Sequence, residues 1–384
     1  MTIETTMTGS YYRDPRVNAL LTESGTGELP QDKLHIAYEA EKNVVLEQLH
    51  PNGNQKGLDW VSNGEQRKTG FTSYVTSRFS GFSKTKRTPQ AFGRRVVEEM
   101  LEANPQLAQS LGKNSSLNLP SIESRLEYTG TESAKAEAQD ARKIKDETGA
   151  KRIFIPASSP GMLPLNFLRT DVYDDHEDFV LSLAREFRKE YEAILSVDGV
   201  DLQIDAPDLA ADLDLNTGLS FFEALPIHVE AINRAVEGLP KDRIRVHYCY
   251  GNWQAPHVID PLFERVLEQI TKLKVGTLVG EMANGRHQGD ALTLKKYARE
   301  YGWPGFKFAA GVIDVKSPFV ETPETVALRL ENVASIEQIG PENVLGGTDC
   351  GFETVHNHTS IPQSIAQKKL QSLVRGAELA SKSF

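Results

Sequence analysis

Eight short runs rich in β-branched and apolar residues recur along the chain, and longer stretches with helical periodicity separate them. The runs are 4–9, 57–62, 151–156, 200–205, 243–249, 275–281, 306–313 and 343–348. Helical patterns include 174–196, 218–238, 258–273, 289–301, 322–338 and 362–380. Thr322-Pro323-Glu324 supplies a capping hydroxyl, a proline at the first helical position and an acidic first turn. Strands that alternate with helices pair in parallel, because each helix carries the chain back to where the next strand must begin. Eight such units with no linker predict an α/β fold, a single TIM-type (β/α)8 barrel over 1–384. Residues 80–150 break the rhythm: they are polar, rich in Lys, Ser and Asn, with helical patterns at 88–103 and 131–148. A long helical excursion after the second strand is expected there, covering the barrel mouth or building a homo-oligomer contact.

Charge and composition remove several function classes. A net charge of −10 with no basic cluster argues against a nucleic-acid partner. No apolar run reaches the roughly 18 residues of a membrane span, and the first residues lack a signal-peptide pattern. Two cysteines cannot make a disulfide framework, so a cytoplasmic enzyme with both thiols available is expected.

In barrels of this type the reacting groups gather at the C-terminal ends of the strands. Here those ends carry Ser10, Asn63 with Glu65, Ser158 with Ser159, Asp205, His247 with Cys249, Glu281, Asp314, and Asp349 with Cys350. His247 and Cys249 are two apart in an extended run, so both point to one side. A histidine and two cysteines form the soft donor set that Zn²⁺ prefers, and Glu281 is the candidate for a fourth, exchangeable position. Each thiol could instead be a small buried hydrophobe, and Glu281, Asp205 and Glu65 could be rim carboxylates. The histidine at i−2 and the shared barrel end favour the metal. Two thiolates blunt the ion as an acid for water, but they suit activation of a substrate thiol as a bound thiolate.

These motifs resemble the catalytic barrel of cobalamin-independent methionine synthase, in which a His-x-Cys pair, a downstream Glu and an Asp-Cys-Gly element hold zinc. The matching residues are His247, Cys249, Glu281 and Cys350. Thr-Gly-Ser10, Asn-Gly-Glu65 and Leu-Gln-Ile-Asp205 look like the elements that hold the amino-acid part of homocysteine, with Asp205 and Glu65 as catalytic carboxylates. Gly-Asn-Trp-Gln-Ala-Pro-His257, Glu281-Met-Ala-Asn-Gly-Arg286-His287 and Gly-Val-Ile-Asp314 look like the single-barrel branch, which includes epoxyalkane:coenzyme M transferases. Arg286, His287 and Asp314 are thereby added as candidate substrate contacts.

The resemblance implies zinc-dependent alkyl transfer to a small-molecule thiol, with methyl transfer to homocysteine the first expectation. The alternative is opening of an epoxide by coenzyme M. A pocket for that sulfonate needs cations such as Arg286, His287, Arg67 or Lys68 turned toward the metal. A non-catalytic zinc-stabilised barrel would need all four coordination positions closed. Two departures from the family pattern, Ala206 after Asp205 and Tyr11-Tyr12 after Ser10, leave the alkyl donor less defined than the thiol.

Overall fold

A computed structural model describes residues 1–25, 27–51, 53, 55–89, 94–103, 118–167, 171–212 and 218–384. Its strands are β1 (Glu4–Thr5), β2 (Trp60–Ser62), β3 (Phe79–Pro89), β4 (Asn118–Tyr128), β5 (Arg152–Ser158), β6 (Val200–Asp205), β7 (Ile244–Tyr248), β8 (Thr277–Glu281), β9 (Lys307–Ile313) and β10 (Val344–Thr348). Eight of them form one parallel sheet in the order β1-β10-β9-β8-β7-β6-β5-β2. Between β1 and β2 the ring is drawn together by Asp59, whose N–H donates to the Thr5 carbonyl at 3.0 Å and whose carboxylate accepts from Thr5 N at 2.9 Å. The architecture is the expected (β/α)8 barrel.

Register sets the site. Asp205 lies opposite Ser158 on one side and His247 on the other, so three strand ends finish at one level. The run 200–205 forms a strand over its whole length, whereas 4–9 keeps only Glu4–Thr5. There the chain turns at Gly9, whose φ is +43 and where a Cβ would lie 2.8 Å from Glu65 Oε1. A glycine is therefore required for Ser10 to reach the mouth beside Glu65.

Arg245 and His247 are two apart on β7 and both buried, and Arg245 fills the barrel interior. Its guanidinium sits 4.1 Å from the Phe154 ring centroid and donates to Thr6 Oγ1 at 2.8 Å. Trp60, Val279, Ala309 and Leu345 pack in a separate inner cluster, and the main core lies between sheet and helices. The Thr322 hydroxyl accepts from Thr325 N at 3.2 Å and starts helix Pro323–Ala334 as expected.

The excursion after β2 differs from the expectation in content. Its described part is a two-stranded antiparallel ribbon, β3 with β4, and one helix, Arg94–Ala103. The first residues of the 88–103 pattern belong to β3, and 90–93 lie outside the described residues. The 131–148 pattern is a helix (Thr131–Thr148), but it packs on β5 and on helix His176–Leu195 as part of the barrel's outer layer. Among the described residues no helix is long and apolar enough to cross a membrane.

Candidate metal centre and adjoining cleft

His247, Cys249 and Cys350 converge where β7 and β10 end. All three are buried, and one donor atom from each lies within 4.8 Å of the others. The two sulfurs are 4.0 Å apart and form no disulfide. Cys350 is held by its backbone: Thr348 Oγ1 donates to its carbonyl at 2.8 Å, and Asp349 N donates to the Ile313 carbonyl at 2.9 Å. Gly351 follows because a Cβ there would collide with Ser10 Oγ.

The set suits a cation. Contact with Cys350 and burial hold the Cys249 thiol well above its ordinary range, because two thiolates this close repel unless a positive charge sits among them. Burial works against a charge on His247, yet Cys249 and Asp205 together push it up to about 10. Its Nδ1 lies 3.3 Å from Asp205 Oδ1 and its Nε2 3.1 Å from the Asp349 carbonyl oxygen. Whichever nitrogen takes an ion, an oxygen steadies the other, as is usual for ligating imidazoles. Metal binding requires these donors deprotonated, so occupancy and proton release are linked.

Glu281 is not part of that cluster. It is buried at the end of β8 with both oxygens engaged. Oε2 accepts from Tyr250 N at 2.9 Å, and Oε1 accepts from Asn284 Nδ2 at 2.6 Å and Lys316 Nζ at 2.5 Å. Burial would raise its pKa, but the buried Lys316 ammonium outweighs that and lowers it. Lys316 was not singled out from sequence; it follows the β9 end by three residues, and nothing local signals its pairing with the neighbouring strand.

A second group gathers beside the triad. Glu65 is buried at φ +56, with Oε2 lacking any hydrogen-bond partner. Burial and the nearby Asp205 push its carboxyl up to about 8 against the pull of Arg13 and Lys68. Asp205 accepts from Gln203 Nε2 at 2.7 Å, and Gln203 Oε1 is itself unpartnered. Gln203 could have been found from sequence, since it lies two before Asp205 on the same strand face. Ser10 is buried alongside, its carbonyl accepting from Phe352 N at 2.9 Å.

The remaining candidates separate. Arg286 and Asp314 line an open cleft of about 830 Å³ with Trp253, His257, Lys316 and Met100 among its walls. The Arg286 side chain is exposed and makes no ion pair among the described residues. His287 is buried away from the cleft lining, with Nε2 2.8 Å from Asp260 and Nδ1 2.8 Å from Asp290, and its ring stacks 3.7 Å from Tyr250. His257 is buried and forms part of the cleft wall. Arg67 and Lys68 are already engaged: Arg67 pairs with Glu41 at 2.7 Å, and Lys68 donates to the Pro156 carbonyl at 2.6 Å.

A methionine synthase of Thermococcus kodakarensis is 26% identical over 377 residues, covering 98% of this chain and 93% of its own. A methionine synthase of Pyrococcus horikoshii is 24% identical over 99% of this chain and 93% of its own. The near full-length similarity supports the resemblance to cobalamin-independent methionine synthases. A 2-hydroxypropyl-CoM lyase of Xanthobacter autotrophicus is also similar, 28% identical over 54% of this chain and 56% of its own. No protein-family model matches. Among solved structures, a B12-independent methionine synthase from Shewanella sp. W3-18-1 superposes with a TM-score of 0.70 at 19% identity, covering 100% of this chain and 99% of its own. One from Listeria monocytogenes gives 0.62 at 19% identity, covering 97% and 96%. These likenesses carry the fold.

Proposed function

We propose that this chain is an enzyme transferring an alkyl group to the sulfur of a small thiol, in zinc-dependent fashion, with methyl transfer to homocysteine as the reading supported best. His247, Cys249 and Cys350 would hold the zinc, which when bound lowers the pKa of a thiol and keeps it nucleophilic at neutral pH. In the transfer a sulfur lone pair forms the new S–C bond, the bond from that carbon to the donor breaks, and the donor departs with the electron pair. Relatives named methionine synthase support the reaction class.

One observation carries the choice of thiol: the unpartnered buried acceptors Glu65 Oε2 and Gln203 Oε1, next to Asp205. Buried acceptors without donors cost free energy unless a ligand supplies the donors. An ammonium group has three N–H donors and a positive charge, so an aminothiol answers both needs. A sulfonate in that place would meet the carboxylates of Glu65 and Asp205, and Arg67 and Lys68 are already paired with Glu41 and Glu137. Asp205 also steadies His247, so the residue that receives the ammonium orients the sulfur's binding place as well.

Coenzyme M remains the second reading, favoured by Arg286 in the cleft and by the Xanthobacter relative. The reducing cytoplasm would keep both cysteines as thiols in either case. The test is to supply zinc-loaded protein with homocysteine or coenzyme M, each with iodomethane, 5-methyltetrahydrofolate or epoxypropane. Methionine formation with no product from coenzyme M and epoxypropane supports the first reading; the reverse selects the second.

A further inference from the structure

Among the described residues, the excursion reaches the cleft through the helix Arg94–Ala103. Met100 and Ala103 of Arg94–Ala103 form part of the cleft wall, and the helix ends close to the loop that follows β7. Glu99, just before Met100, is 4% exposed. Its Oε1 accepts from two consecutive backbone amides of that loop, Val258 N at 2.6 Å and Ile259 N at 3.1 Å. The loop has no strand or helix between Cys249 and Phe263, so those amides have no ladder to join. It is also bent sharply, because His257 is a non-glycine residue at φ +57. Five consecutive residues of it, Trp253 to His257, line the cleft, with the Trp253 ring stacked 5.6 Å from His257. His257 Nδ1 is tied to Asp260 at 3.1 Å, which itself accepts from His287.

One end of this loop is therefore fixed by Cys249, and the part beyond His257 is fixed by a carboxylate from outside the barrel. One side-chain oxygen here holds two neighbouring backbone donors. We propose that Glu99 is a positioning residue through which the excursion sets the shape of the cleft wall, and that this wall is where the alkyl donor lies. The inference rests on the alkyl-transfer reading. It assigns the excursion to donor recognition, leaving metal and thiol to the strand ends. Glu99 touches neither donor nor thiol; it acts through residues 253–259.

The test compares Glu99→Ala and Glu99→Gln in the full zinc-loaded chain. Glu99→Ala is expected to raise the KM for 5-methyltetrahydrofolate or epoxypropane, whichever the wild type uses, by about tenfold or more. Zinc content and homocysteine affinity should be unchanged. Glu99→Gln should restore the wild-type KM, because a glutamine carbonyl can occupy the place of Oε1. An unchanged donor KM in Glu99→Ala overturns the proposal, as does loss of zinc or an equal loss of thiol affinity. Hydrogen exchange at Val258 and Ile259, with Trp253 emission, is read in parallel and needs no turnover. Faster exchange and shifted emission in the alanine variant alone support the latch even if the wild type transfers no alkyl group, in which case only the reading of the reaction has failed. Unchanged exchange and emission overturn the latch.

Discussion

Two buried polar clusters meet at Glu65-Gln66-Arg67-Lys68, and they are built on opposite principles. Behind the barrel wall, Arg67, Lys68 and Arg78 are matched by Glu41, Glu137, Glu28 and Glu190. Tyr74 adds a hydrogen bond to Glu190 at 2.9 Å, with the Lys68 ammonium 4.5 Å from its ring centroid. Glu137 is held below the ordinary carboxylate range by Lys68, Arg78 and Arg67, which outweigh its burial. At the mouth, Glu65, Gln203 and Asp349 each keep a buried oxygen without a partner, and Glu65 is pushed up to about 8. The first cluster is closed and holds β2's loop to the helices around it. The second is left open to a ligand. Adjacent residues of one type of chemistry thus serve architecture or binding according to whether their partners are already present.

Cys350→Ser should have the largest effect on function: loss of stoichiometric zinc and of alkyl transfer, with circular dichroism and thermal midpoint close to wild type. Full activity in that variant would break the assignment of the mouth to metal. Arg78→Met tests the closed side. It strands Glu28, Glu137 and Glu190 without their shared cation, and a denaturant titration should show a loss of about 3–5 kcal/mol, the cost of breaking a buried pair.

Glu65→Gln sharpens the contrast from the open side. Homocysteine affinity should fall about 10- to 100-fold while coenzyme M binding and zinc content stay level. An equal loss for both thiols would make Glu65 structural like its neighbours. The smallest effect is expected from pH. Burial opposes charge on His287, but hydrogen bonds to Asp260 and Asp290 push it up to about 9. A raised pKa in the folded state contributes stability that is complete below about pH 6.5, the ordinary histidine value, and that is lost as pH rises through 9. Thermal midpoints from pH 6 to 10 should decline over that window, and His287→Gln should flatten the decline.

The barrel was legible because its signal is periodic and local: β-branched runs at regular distances, with a cap such as Thr322 before a helix. His247 and Cys249 were legible for the same reason, being two apart in a strand. The β3–β4 ribbon was not. Segments such as Ser80-Gly81-Phe82-Ser83-Lys84-Thr85 alternate too weakly to be told from a polar loop. The distinction between Glu65 and Arg67 was also invisible, since only folding shows which carboxylates reach which cations. Glu281 illustrates the same limit. Its place at a strand end was readable, but its pairing with Lys316 depends on two neighbouring strand ends meeting.

X-ray absorption at the zinc edge, recorded on the loaded protein before and after adding homocysteine, tests the central claim most directly. The account predicts two sulfur neighbours at about 2.3 Å from Cys249 and Cys350, rising to three when the thiol is added. A spectrum with no sulfur neighbours, or one that homocysteine leaves unchanged, would contradict it.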